Sequence, residues 1–85
     1  MTKKTRSELQ TKYKQQLQRI WNRYHIQPSI TVEYLYMKQH NEKEALGMLT
    51  QEVQRSLIYN NSLAYTDYSA QVDYTIEKIL KELKI

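Results

Sequence analysis

Eighty-five residues with one Gly, one Pro and no Cys form one small domain, and they exclude disulfide scaffolds, Cys-based zinc sites and glycine-rich phosphate loops. A chain of this length buries only about 60–65% of its unfolded surface, which leaves no room for a large internal cavity. The net charge of +4 is concentrated in residues 1–24, where Lys3, Lys4, Arg6, Lys12, Lys14, Arg19 and Arg23 face Glu8 alone, a local balance of +6.

Residues 1–6 read as a flexible basic leader. Met1 with Lys3, Lys4 and Arg6 starts as a signal peptide does, but Gln10, Lys12 and Tyr13 follow where an apolar core belongs. No run approaches ~18 apolar residues, so the expectation is a cytoplasmic chain, peripheral at most to the inner membrane face. The first helix opens with Ser7 and Gln10 spaced as a capping box, and Leu9, Tyr13, Leu17, Ile20, Trp21 and Tyr24 form its apolar stripe. It stops near His25, just before Pro28. Lys12, Arg19 and Arg23 share a flank away from that stripe, a candidate surface for phosphates or anionic lipid headgroups. The plainer reading is a solvated face whose long stems cover the edges of the core.

Residues 27–40 are ambiguous. Ile30, Val32, Tyr34 and Tyr36 alternate as in a strand, while Leu35 and Met37 break the alternation. With no second strand to satisfy its backbone, the segment is expected as a short helix starting near Ser29 or Thr31, with Pro28 at its entry. Residues 41–83 then organise the chain as two helices joined by a polar turn. Asn41 and Glu44 cap the first, whose stripe is Leu46, Leu49, Val53 and Leu57, with Gly47 expected in close packing against the short helix before it, within residues 29–40. Met48 and Tyr59 flank that stripe and Ile58 points away from it. Asn60-Asn61-Ser62 stops the helix, and Thr66 with Asp67 opens the last one as N-cap and first-turn acid. Its stripe is Tyr68, Val72, Ile76, Ile79, Leu80 and Leu83. The fold class is therefore all-α, a small antiparallel four-helix bundle.

Little in this pattern carries catalytic chemistry. His25 and His40 lie fifteen residues apart without a ligand partner at metal-binding spacing. Asp73 and Glu77 are one turn apart on a polar face, and Glu33 and Asp67 sit at surface positions, as helix charges ordinarily do. No nucleophile elbow is present, so neither an enzyme nor a cofactor is expected. Eight tyrosines replace Phe entirely. Tyr13, Tyr24 and Tyr68 take core slots, whereas Tyr34, Tyr36, Tyr59, Tyr65 and Tyr74 are less clearly buried. The basic residues lie mainly in the first helix, apart from these tyrosines, and no recognition-helix pattern appears. Both points argue against nucleic acid as the partner. A helical adaptor and a small nucleic-acid-binding regulator stay open as alternatives.

Leu49-Thr50-Gln51-Glu52-Val53, then Asn60-Asn61-Ser62-Leu63, then Tyr65-Thr66-Asp67-Tyr68 with Val72, Ile76 and Leu80 resemble the third helix, turn and fourth helix of the immunity proteins for pediocin-like (class IIa) bacteriocins, the enterocin A immunity family. The similarity spans roughly half the chain and rests on a hydrophobic spacing with an Asn-containing turn. It implies a four-helix bundle that protects a bacterium without catalysis. The implied partner is the bacteriocin-bound mannose phosphotransferase permease, met at the cytosolic face. Partner-binding positions implied by the resemblance are Asn60, Asn61, Tyr65, Tyr74, Lys78 and Lys81, with Lys12, Arg19 and Arg23 toward an anionic membrane. The family places specificity in its C-terminal half, including a segment after the fourth helix, whereas this sequence ends at Ile85, close behind that helix. The resemblance therefore implies a class of target without naming one bacteriocin.

Overall fold

The computed structural model describes residues 3–60 and 65–84, with side chains over 3–58 and 70–84. Every element in that range is helical: α1 (Arg6–Lys12), α2 (Lys14–Tyr24), α3 (Pro28–Lys38), α4 (Glu42–Asn60) and α5 (Tyr65–Leu83). No described helix is long and apolar enough to cross a membrane.

The predicted first helix is two. Its capping box is Thr5 with Glu8, not Ser7 with Gln10: the Glu8 N–H donates to Thr5 Oγ1 at 3.2 Å, and the Thr5 N–H donates to Glu8 Oε1 at 3.0 Å. These bonds, the backbone one first, hold the Glu8 carboxyl below the usual carboxylate range. At Tyr13 the backbone leaves helical geometry (φ −105°, ψ 20°), although the N–H of Tyr13 still reaches Leu9 O and its carbonyl still accepts from Leu17. Leu9 and Leu17, on either side of the break, are buried in the same core. Trp21, expected within the stripe, stands 39% exposed beside the His25 ring.

The segment that alternated like a strand is the central helix. α3 opens with Pro28 at its first position, which sets the entry dihedral and forfeits only an N–H with no helical partner. It touches α1, α2 and α4, so it needs apolar residues around much of its circumference. Thr31, Val32, Tyr34 and Leu35 are accordingly all buried. Tyr34, less clearly buried from the sequence, is thus core and the largest fully buried side chain among the described residues, and burial, followed by the nearby Glu42 charge, pushes its phenol up from the ordinary tyrosine value. Among the described residues α4 meets α3 more extensively than it meets α5, so the structure is knit through α3 at least as much as through the 41–83 pair.

That pair nevertheless follows its stripes. Leu49, Val53 and Leu57 on α4 and Val72, Ile79 and Leu83 on α5 are buried, with Leu46, Ile76 and Leu80 half-buried against them. Asn41 Oδ1 accepts the Glu44 N–H at 3.2 Å, as the cap requires. The α5 backbone is already helical at Tyr65, one residue before the predicted cap Thr66. Tyr68 and the turn residues Asn61 and Ser62 lie outside the described side chains. Gly47 differs from expectation: it is exposed, and a Cβ built there meets nothing within 4 Å. Because its φ is not positive, Gly47→Ala is expected to stabilise the protein by about 1 kcal/mol through helix propensity alone. Chemical denaturation reads this directly, and a loss of stability would refute the open-face assignment.

Residues 3–6 lie along α3. Arg6 donates twice to Glu33, at 2.7 and 2.9 Å, and stacks 4.0 Å over the Tyr36 ring. The Lys4 backbone exchanges two bonds with the Gln39 amide, at 2.8 and 2.9 Å, and Lys3 Nζ lies 3.1 Å from His40 Nδ1. The side-chain bonds from Arg6 hold the Glu33 carboxyl below its usual range. A depressed carboxylate stabilises the fold above its unfolded value, about pH 4, and that stabilisation is lost as pH falls through the folded value. Thermal midpoints are therefore expected to drop between about pH 5 and pH 3, with a shallower slope in Arg6→Gln. An identical slope in the variant would remove Glu33 from the account.

Candidate functional site

The three basic positions marked in the sequence do not form one free stripe. Arg19 and Arg23 converge on Glu82 of α5, with Nη1–Oε distances of 3.1 and 3.6 Å. Two cations sharing one carboxylate keep a residual charge of +1 there and fasten α2 along α5. Lys12 belongs to α1, across the Tyr13 break, and places its Nζ 5.4 Å from the Tyr13 ring. On α5, Tyr74 is 54% exposed, the Lys78 ammonium stands 5.2 Å over its ring, and Lys81 is exposed beyond. Asn60 closes α4 and Tyr65 opens α5, but their side chains, and all of Asn61, lie outside the described residues.

Tyr74 stands beside a feature that the sequence did not reveal. α2 ends at His25, which adopts a left-handed conformation (φ 58°, ψ 33°), a region where His is tolerated better than most side chains. The chain turns sharply there and buries Ile26. Ser56 of α4 fastens the corner, its Oγ donating to Tyr24 O at 2.8 Å. That bond satisfies one of the last carbonyls of α2, which otherwise lack helical partners.

The corner separates two open depressions. One, of about 440 Å³, lies between the end of α2, α4 and α5, and Arg23, Val53, Tyr74 and Thr75 contribute to its lining. The other, of about 340 Å³, lies between the corner, the start of α3 and α4, beside Gln27, Glu52 and Arg55. His25, Ile26 and Ser56 border both. Hydrogen-bond donors outnumber carboxylates along this surface: Arg23, Arg55 and the His25 ring stand against Glu52, which Arg55 approaches to 4.0 Å. Thr75 shows how part of the site was legible. It falls three residues after Val72 and four before Ile79, and so shares the apolar face of α5. His25, weighed only as a metal ligand, and Ser56 gave no local signal of their meeting.

The arrangement is suited to binding. Among the described residues there is no group of three or more His, Asp or Glu side chains that could hold a metal ion. Comparisons of the chain with family models, with curated proteins and with solved structures find no match.

Proposed function

We propose that this chain is a non-catalytic immunity protein that guards a bacterium against a pediocin-like bacteriocin, acting at the cytosolic face of the membrane on the bacteriocin-bound sugar permease. In this reading α1 and α2 count as one broken helix, and the molecule is an antiparallel four-helix bundle. The observation that carries it is the division of labour along α5. Val72, Ile79 and Leu83 of the resemblance-bearing helix are buried, while Tyr74 remains 54% exposed with Lys78 beside it. A stripe that builds the core and an aromatic-basic flank that faces outward is what a recognition helix in such a bundle needs. Lys12, together with the charge left over on Arg19 and Arg23, supplies a modest attraction to an anionic leaflet, about 1 kcal/mol per basic residue near the surface.

Expression of the gene in a bacteriocin-sensitive strain tests the reading. Tolerance to at least one peptide in a broad pediocin-like panel is expected, with loss of tolerance in Tyr74→Ala or Lys78→Glu. Wild-type cells as sensitive as the empty-vector control to every peptide would end it.

A further inference from the structure

The corner at His25 and Ile26 divides two neighbouring depressions of similar chemistry. Both share the corner, both rest against α4, and a guanidinium lines each: Arg23 on one side, Arg55 on the other. Arg23 meets Glu82 only through Nη1 at 3.6 Å, and a guanidinium carries five N–H donors, so most of its donors remain available. Thr75 is only 5% exposed, lines the first depression, and its hydroxyl makes no hydrogen bond among the described residues. The hydroxyl itself is reached by water rather than sealed, so it can donate to an acceptor that enters the depression. Below these donors the floor is apolar, formed by the buried side chains of Ile26, Val53 and Leu57.

We infer that the two depressions are one groove for a short acidic peptide segment. An Asp or Glu of that segment meets Arg23 and the Thr75 hydroxyl, and a neighbouring apolar side chain settles on Val53 and Leu57. Charge complementarity selects the acid, because among the described residues the lining offers Arg23 and Arg55 against the single carboxylate of Glu52, and Arg23 has only a share of Glu82 with Arg19. Extent and shape select a peptide over a single small anion. Two open hollows of about 440 and 340 Å³ on either side of one corner suit successive side chains of an extended segment. The site stands independently of the immunity reading.

Trp21 provides an internal probe, since it is the sole tryptophan and its ring centroid lies 5.6 Å from that of His25. Random peptides displayed for selection on the full chain are expected to enrich Asp or Glu next to Leu, Ile or aromatic residues. Selected peptides should then shift Trp21 fluorescence on titration. Arg23→Gln and Arg55→Gln should each weaken that binding about tenfold, as loss of a charge-assisted hydrogen bond does. Arg19 keeps Glu82 partnered in the first variant. Thr75→Val, which preserves shape and removes an unpartnered hydroxyl, should weaken binding while leaving the thermal midpoint no lower. Amide isosteres of the selected acids should fail to bind. Failure to select any peptide, selection of basic or neutral ones, or acidic peptides indifferent to all three variants would overturn the inference. The protection assay is separate: sensitive cells with intact peptide binding would sink immunity alone, and tolerant cells without peptide binding would sink the groove alone.

Discussion

Leu49→Ala is expected to lower the free energy of unfolding by about 2–5 kcal/mol, the largest loss predicted for a single truncation here. Leu49 is fully buried on α4, the helix that meets both α3 and α5. Removing its three outer carbons deletes apolar contacts and leaves a cavity that helices tied on two sides close only in part. Domains of this size hold about 4–13 kcal/mol in total, so the variant sits near the edge of folding at 37 °C. The informative control is Ile58→Ala on the same helix. Ile58 is 65% exposed, and its truncation should stay within about 0.5 kcal/mol of wild type. Paired urea titrations measure both. Equal losses at the two positions would mean that α4 is rotated from the orientation described.

The second large effect has the opposite sign. Thr31→Val is expected to raise stability by about 1–3 kcal/mol. Thr31 is fully buried on α3 and its Oγ1 has no hydrogen-bond partner. Residues such as Thr50 and Thr11 show the usual remedy in a helix, donating to the carbonyl four residues earlier at 2.7 and 3.1 Å. Thr31 lacks that bond, so folding strips water from its hydroxyl and supplies nothing in exchange. Valine keeps the branched shape and its rotamer preference and removes the penalty. Each kcal/mol shifts the midpoint of a domain this small by roughly 4–8 °C, which places the gain well within reach of a melting curve. An unchanged or lower midpoint would show that the hydroxyl is satisfied in solution.

Much of the helical layout was written in local signals. Pro28 marked the entry to α3, Asn41 with Glu44 marked the start of α4, and the spacing of Leu49, Val53 and Leu57 identified the face that is buried. Each signal acts over one or two helical turns, where backbone geometry alone relates residue type to position. Legibility failed where two local signals competed or where a distant partner decided. Ser7 and Thr5 both precede a residue able to close a capping box, and the acid at Glu8 made the Thr5 version stronger. Gly47 looked like a contact residue because glycine often is one, yet its face is open. Tyr34 was less clearly buried in a segment whose pattern was ambiguous, and only the neighbours α1, α2 and α4 make α3 central.

The candidate site divides the same way. Tyr74 and Lys78 were visible as outward positions of an amphipathic helix, and they remain outward. The groove beside them needed the left-handed turn at His25, the bond from Ser56 to Tyr24 across 32 residues, and Thr75 beneath. Arg19 was read as free until Glu82, 63 residues later, appeared 3.1 Å away. Sequence by itself determined that this chain is helical, which face of α4 and α5 is apolar, and where the charge gathers. These follow from period and composition. Tertiary structure alone decided which helix lies at the centre, which arginines are neutralised, and where a groove opens. Those outcomes depend on contacts between residues far apart in the chain, and no local pattern encodes them.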